Sequence, residues 1–124
     1  MRMIVAIGVG GALGALARYG VGALVTARAG VGFPWGTFVV NVSGAFVLGL
    51  LFALLAERTQ VPQWLVASAT VGFLGAYTTF STFALESLLL AEDGRLLAAV
   101  MNVTASVVAG IVAVVLGVVV GRAV

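Results

Sequence analysis

The residues best equipped for chemistry lie in one stretch, GAYTTFSTF, which runs from Gly75 to Phe83. It holds four aliphatic hydroxyls and three aromatic rings in nine positions. Hydroxyls donate hydrogen bonds, and an aromatic ring has a negative face and a positive edge. Such a set suits a small anion better than a cation. The stretch therefore predicts a place where a small anion is held or passed.

The remaining composition excludes most catalytic chemistry. The chain has no cysteine and no histidine, which removes thiolate nucleophiles, the usual zinc ligands and histidine proton relays. Four acidic side chains and six arginines are the only charged ones. The net charge of +2 comes from a few loop arginines and gives no reason to expect a nucleic-acid partner. Since no nucleophile–base pair can be built from these residues, we predict that the protein is not an enzyme.

The elements that must position this stretch are membrane-spanning helices. The chain is 63% hydrophobic and 8% charged, and its polar residues divide it into four long apolar segments. Such segments are typical of helices that cross a bilayer, whereas strands of a barrel would alternate apolar and polar residues. We predict a single domain, residues 1–124, with spans at about 3–25, 35–55, 64–90 and 96–120. Residues 1–20 also fit a cleavable signal peptide, which would leave three spans.

The loop arginines give almost no preferred orientation in the membrane. Four spans place both termini on one side, and arginines are then divided three to two between the sides: Arg2, Arg58 and Arg122 against Arg28 and Arg95. The positive-inside rule barely chooses between the two orientations. Either the chain simply has few charges, or it inserts both ways round.

Several polar side chains are predicted to lie within the spans, where lipid cannot satisfy them. Arg18 lies late in the first span, so it either reaches an interface by snorkelling or serves a function. Asn41 in the second span carries amide donors and an acceptor. Asn102 and Ser106 in the fourth span share one helix face, which indicates either helix packing or one wall of an ion path.

The third span is predicted to break near Gly75–Thr79. Glycines loosen the helix before the β-branched pair Thr78 and Thr79. A break frees backbone carbonyls, and at membrane depth something inside the protein must satisfy them. A cation coordinated by those carbonyls would do so. Beyond the break, Thr79 and Thr82 share one face with Glu86, and Phe80 and Phe83 lie on a neighbouring face.

At these residues the chain resembles a known family, the small bacterial fluoride channels of the Fluc or CrcB family. The resemblance rests on GGALGALARY in the first span, GTFVVNVSGAFVLG in the second and GFLGAYTTFSTFALE in the third, and it covers essentially the whole length. It implies an all-α protein of the bacterial cytoplasmic membrane, assembled as an antiparallel, dual-topology homodimer. It also implies two pores along the dimer interface and a structural Na⁺ on the two-fold axis.

The resemblance also implies roles for individual residues. Phe80 and Phe83 match the paired pore phenylalanines, and Ser106 matches a polar track that faces them. Gly75 and Thr78 match the residues whose carbonyls bind Na⁺ in both subunits. Asn102 stands where many relatives carry Tyr, which leaves its part open. The whole predicted fluoride path is Arg18 in a vestibule, the pore residue Asn41, and Thr79, Phe80, Thr82, Phe83, Asn102 and Ser106.

The function that follows is passive, fluoride-selective conduction across the membrane, which exports fluoride and protects against its toxicity. Two alternatives belong to other classes. A small proton-coupled exporter of cationic compounds, also of dual topology, would need an intramembrane carboxylate, and Glu86 is the only candidate in the four spans. A non-transporting membrane assembly protein would show glycine packing faces without a polar track.

Overall fold

The computed structural model describes residues 1–56 and 61–124, and every regular element within these ranges is a helix. Four helical segments are long and apolar enough to cross a membrane, which confirms the predicted all-α, four-span architecture. Arg58, one of the arginines in the charge count, lies outside the described residues. The elements are α1 (Arg2–Ala29), α2 (Trp35–Ala56), α3 (Gln63–Ala67), a π-helix (Ser68–Leu74), α4 (Gly75–Tyr77), α5 (Phe80–Glu92) and α6 (Leu96–Ala123).

Proline and glycine set the helix ends. Pro34 directly precedes α2, and Pro62 is the N-cap of α3, where a residue without an N–H loses no helical hydrogen bond. Gly30 ends α1 with φ 84°, and its N–H donates to the Thr26 carbonyl oxygen at 2.9 Å. Gly94, with φ 74°, makes the turn between α5 and α6. Only glycine adopts such left-handed angles at little cost, so both turns depend on it.

The third span is interrupted at Thr78 and Thr79. Both residues are extended, with φ/ψ of −78°/157° and −148°/115°, and helical geometry resumes at Phe80. The break therefore lies within the predicted region, at its C-terminal end. A second irregularity, the π-helix Ser68–Leu74, comes before it. The sequence analysis did not predict this wide turn, because no local pattern distinguished it from ordinary α-helix.

Small residues let the spans pack in two close pairs. A Cβ atom built on Gly14 of α1 would lie 2.1 Å from the Phe73 carbonyl oxygen, so α1 touches the backbone of the third span. A Cβ atom on Gly117 of α6 would lie 2.1 Å from the Phe46 carbonyl oxygen of α2. Such approaches are typical of membrane helices, where close packing takes the place of the hydrophobic effect.

Few large apolar side chains of the described residues are buried. Val40 and Leu74 are among the few, at 1% and 3% exposure, whereas many apolar side chains of α6 face outward. Phe80 is 79% exposed. In a chain of this hydrophobicity the outward surface is suited to lipid or to another subunit rather than to water.

Candidate functional site

Asn41 of α2 makes two hydrogen bonds to the break in the third span. Its Nδ2 group donates to the Thr79 carbonyl oxygen at 3.0 Å, and its Oδ1 atom accepts from the Thr79 N–H at 2.7 Å. A primary carboxamide carries a donor and an acceptor side by side, so it can pair with both backbone groups of one extended residue. Thr79 is 8% exposed, and unpaired backbone groups there would be costly. The asparagine thus satisfies polar groups that the break releases.

The hydroxyls beyond the break form a directed chain. The Thr79 hydroxyl caps α5 by accepting from the Thr82 N–H at 3.3 Å, and it donates to the Thr82 hydroxyl at 3.0 Å. Ser81 Oγ lies 3.4 Å from the same Thr79 oxygen. Because the Thr82 oxygen accepts from Thr79, its own hydrogen remains to be donated elsewhere. Thr82 is exposed and offers that hydrogen to a neighbouring anion or water molecule.

Gly75 and Thr78 are among the residues whose carbonyl groups lose their ordinary helical partners at the break. In a continuous helix the Gly75 carbonyl would accept from the Thr79 N–H, and the Thr78 carbonyl from the Thr82 N–H. Those N–H groups bond instead to Asn41 and to the Thr79 hydroxyl. Residues 1–56 and 61–124 also form backbone hydrogen bonds in turns and at helix ends. None of these bonds has the Gly75 or Thr78 carbonyl as its acceptor. The oxygens of these two carbonyls are the type of ligand that a hard cation takes.

The two phenylalanines of the motif form a pair at the start of α5. The ring centroids of Phe80 and Phe83 are 5.7 Å apart, and their planes are tilted by 50°. Phe83 is half-buried, whereas Phe80 projects from the subunit. The pair therefore lies at the surface of the protein, next in sequence to the hydroxyls of Thr79 and Thr82.

A cavity of about 920 Å³ connects the break with one end of the helices. It lies between α1, α2 and α5, beginning near Thr79 and ending near Asp93 and Arg95 in the turn before α6. Of the predicted path residues, Arg18, Thr79 and Thr82 line it, whereas Asn41, Phe80, Phe83, Asn102 and Ser106 do not. Its charged and polar lining residues are Arg18, Tyr19, Thr26, Thr37, Thr79, Thr82, Glu86, Asp93 and Arg95.

Thr37 and Glu86 also line the cavity, although neither was predicted to belong to the path. Thr37 donates from its hydroxyl to Glu86 Oε1 at 2.9 Å, which joins α2 to α5 across the cavity. Glu86 Oε2 is buried and has no hydrogen-bond partner within the described part of the chain. A signal for Thr37 was present: it lies four residues before Asn41, hence on the same face of α2.

Tyr77, which had no predicted role, braces the residues just before the break. Its hydroxyl lies 2.9 Å from Ser43 Oγ of α2, and its ring stacks on Phe73 with centroids 5.9 Å apart. A Cβ atom on Gly44 would lie 2.4 Å from the Thr78 methyl carbon, so α2 approaches the break closely. The geometry of the break is therefore held from α2 by both side-chain bonds and close packing.

The fourth span contributes polar groups to α5. Asn102 is 1% exposed and donates from Nδ2 to Ser87 Oγ at 3.0 Å. Ser87 in turn donates to the Phe83 carbonyl oxygen at 2.8 Å, and Ser106 Oγ lies 3.5 Å from Asn102 Oδ1. The predicted face containing Asn102 and Ser106 thus meets the helix that carries the paired rings.

These contacts place hydroxyl donors, the Arg18 guanidinium and a pair of aromatic rings around a helix break at membrane depth. Such a site can replace part of the water around a small anion, because Arg18 and Thr82 both line the open cavity and the Thr82 hydroxyl hydrogen is not used by Thr79. The carbonyl oxygens of Gly75 and Thr78, whose usual helical N–H partners bond elsewhere, form a separate group of acceptors.

Comparison with known proteins matches residues 5–118 to the family described as CrcB-like protein, Camphor Resistance (CrcB). A protein of Geobacter metallireducens named "Fluoride-specific ion channel FluC" is 51% identical over 107 residues, which are 86% of each chain. A protein of the same name from Magnetococcus marinus is 47% identical over 118 residues, covering 95% of this chain and 96% of the relative. Another, from Citrifermentans bemidjiense, is 44% identical over 124 residues, the full length of both. The broken third span and its hydroxyl and ring cluster are thus features of a chain that belongs to the CrcB family.

Proposed function

We propose that this protein is a fluoride-selective channel that exports F⁻ passively across the bacterial cytoplasmic membrane and catalyses no reaction. The observation that carries the proposal is the break at Thr78 and Thr79, which opens onto a polar cavity lined by Arg18 and Thr82. The names of the relatives at 44–51% identity support the same ion. The proposal also accounts for export, since fluoride enters cells as neutral HF, ionises in the neutral interior and is driven outward by the negative membrane potential.

Selectivity follows from dehydration. Fluoride is small and strongly hydrated, so a path must offer donors that replace its water. The Arg18 guanidinium supports attraction of an anion into the cavity, and the unshared Thr82 hydrogen supports its binding near the break. Beyond that point we place the rings of Phe80 and Phe83, the amide of Asn41 and the hydroxyl of Ser106. Several weak sites in series allow an ion both to enter and to leave.

We further propose that two copies assemble antiparallel. Phe80 is 79% exposed, and Gly75, Ser81 and Thr82 are also exposed around the break. Lipid cannot satisfy polar groups at that depth, so a second subunit is the natural cover for this surface. The near balance of loop arginines supports insertion in both orientations, because neither side of the chain strongly favours the cytoplasm.

The carbonyls of Gly75 and Thr78 fit a structural Na⁺ shared by the two subunits. Their helical hydrogen-bond partners are used elsewhere, and carbonyl oxygens are ligands that a hard cation accepts. Such an ion would neutralise orphaned acceptors and hold the two breaks together; it takes no part in conduction. Purified protein should then lose dimer stability when Na⁺ is replaced by a large organic cation, and an unchanged melting temperature would contradict the assignment.

Fluoride efflux from liposomes tests the function directly. Purified protein is reconstituted into vesicles loaded with potassium fluoride, and valinomycin is added so that K⁺ carries the compensating charge. We expect fluoride to appear outside on an ion-selective electrode, while vesicles loaded with potassium chloride retain their chloride. No fluoride release, or equal release of both halides, would refute the proposal.

Ring variants provide an internal control for this assay. Phe80→Ile and Phe83→Ile retain apolar bulk but remove the ring edges, so each should slow fluoride efflux by at least about tenfold, the equivalent of ~1.4 kcal/mol in the barrier. The variants should elute as dimers, like the wild type. If both conduct at the wild-type rate, the rings do not line the path.

Dual topology has its own measurement. Reporters that are active on only one side of the membrane, fused to the C-terminus beyond Arg122, should be active on both sides in the same cell population. Adding two arginines to the Arg28 end should move the population towards one orientation, because loop arginines favour the cytoplasm. A single orientation of the unmodified chain would contradict dual insertion.

A further inference from the structure

A hydrogen-bonded chain links the fourth span to the backbone of a ring-bearing residue. It begins at Asn102 of α6, whose Nδ2 group donates to Ser87 Oγ at 3.0 Å. The Ser87 hydroxyl in turn donates a hydrogen bond to the Phe83 carbonyl oxygen at 2.8 Å. The donors leave no ambiguity of direction, because a serine hydroxyl has one hydrogen and an amide nitrogen can only donate.

The burial of Asn102 indicates that this chain of hydrogen bonds has a structural role. Asn102 is 1% exposed within a single subunit, the least exposed polar side chain among the described residues. A carboxamide buried that deeply is costly unless its polar atoms are bonded. One Nδ2 hydrogen is given to Ser87, and the acceptor Oδ1 lies 3.5 Å from Ser106 Oγ. Because the side chain is almost fully covered, Asn102 leaves little surface for direct contact with fluoride.

The turn at Gly94 joins α5 directly to α6 and fixes their relative position at that end. α6 is held against α2 by glycine contacts such as that of Gly117 with Phe46, whereas in α5 only Leu90 is buried. Sliding one helix by a single residue moves its side chains about 1.5 Å along the axis. A hydrogen bond tolerates only a few tenths of an ångström around about 2.9 Å. Beyond the turn, the bond from Asn102 to Ser87 is the one side-chain hydrogen bond between α5 and α6 in the described part of the chain, and it resists such sliding.

We propose that Asn102 and Ser87 are a positioning pair that holds the register of α5 on α6 away from the turn and so aligns the Phe83 ring with the Ser106 hydroxyl. The inference rests on the proposed fluoride conduction. Ser106 interacts with Asn102 only at 3.5 Å, the long limit of a hydrogen bond, so its hydroxyl can turn to an ion. Asn102 thus acts through the residues it places rather than as a ligand of the ion.

A matched pair of substitutions at Ser87 separates the hydroxyl from the volume of the side chain. Ser87→Thr keeps a hydroxyl that can bond to the carbonyl four residues earlier, whereas Ser87→Val has the same shape without it. In fluoride efflux from liposomes, Ser87→Val and Asn102→Leu should each slow the flux by about tenfold, the scale of one lost buried hydrogen bond. Ser87→Thr should conduct within about twofold of the wild type, because the bonded chain is retained. Ser87→Ala replaces Ser87→Val if the latter does not purify as a dimer.

The double variant decides whether the two residues act as one unit. Ser87→Val combined with Asn102→Leu should be no slower than the slower single variant, since both remove the same interaction. Multiplicative losses, wild-type flux in Ser87→Val, or slow flux in Ser87→Thr would each overturn the pair. If wild-type vesicles release no fluoride, the proposed function falls and the inference with it. If the wild type conducts and the variants behave independently, only the inference falls.

Discussion

Asn41→Leu is expected to lower fluoride flux by about a hundredfold or more, which corresponds to ~2.7 kcal/mol or more in the barrier. Asn41 is bonded to both the N–H and the carbonyl of Thr79, and leucine has nearly the same size but no polar atom. Both backbone groups would then be unpaired at membrane depth, at a cost of about 2–6 kcal/mol. The extended conformation of Thr79 would lose its support, and with it the placement of the hydroxyls and rings.

The control for this variant is Ser43→Ala on the same helix. Ser43 bonds to the Tyr77 hydroxyl and touches the residues before the break, yet it makes no bond to Thr79. Its removal should slow fluoride efflux by less than about threefold, the range expected for one partly exposed hydrogen bond. The measurements are initial efflux rates and melting temperatures of both variants. If Asn41→Leu conducts and melts like the wild type, the hydrogen bonds from Asn41 to Thr79 support neither conduction nor stability.

Gly14→Ala is expected to prevent stable folding of the subunit. A Cβ atom at this position would lie 2.1 Å from the Phe73 carbonyl oxygen and 3.0 Å from the Phe73 Cα atom, which are backbone atoms that cannot rotate away. α1 would have to move off the third span, and overpacking of this kind costs typically about 1–3 kcal/mol and sometimes more. The yield of dimer after detergent extraction and its melting temperature should both fall sharply.

Gly20→Ala is the matched control, because it makes the same change on the same helix. No atom lies within 4 Å of a Cβ built on Gly20. Alanine also has the higher helix propensity, so this variant should be as stable as the wild type or slightly more stable. Equal yields and melting temperatures for Gly14→Ala and Gly20→Ala would show that α1 does not approach Phe73 as closely as described.

Much of the fold was predictable because it depends on local properties. Long apolar runs specify spans, Pro34 and Pro62 mark helix starts, and Gly94 permits the left-handed turn before α6. The break was predictable from β-branched Thr78 and Thr79 following loosening glycines. The π-helix was not, since Ser68–Leu74 contains no residue that distinguishes a wide turn from an α-helical one.

The candidate site was predictable in its members but not in their contacts. Spacing placed Thr79 and Thr82 on a common face, and both line the cavity with Arg18. Spacing also placed Asn102 with Ser106, and they do approach each other. Residue spacing does not indicate what packs on the face of α6 that carries Asn102 and Ser106, because Ser87, the partner of Asn102, belongs to another helix.

The sequence by itself determined four membrane-crossing helices, a weak point in the third and a concentration of hydroxyls and rings beside it. Hydrophobicity, proline geometry and side-chain spacing are properties of neighbouring residues, so they can be recognised without a partner. Only the tertiary structure decided how the polar groups are used. The bonds from Asn41 to Thr79 and from Thr37 to Glu86 join residues 38 and 49 positions apart. Each forms because helix packing brings together groups that lipid cannot satisfy separately.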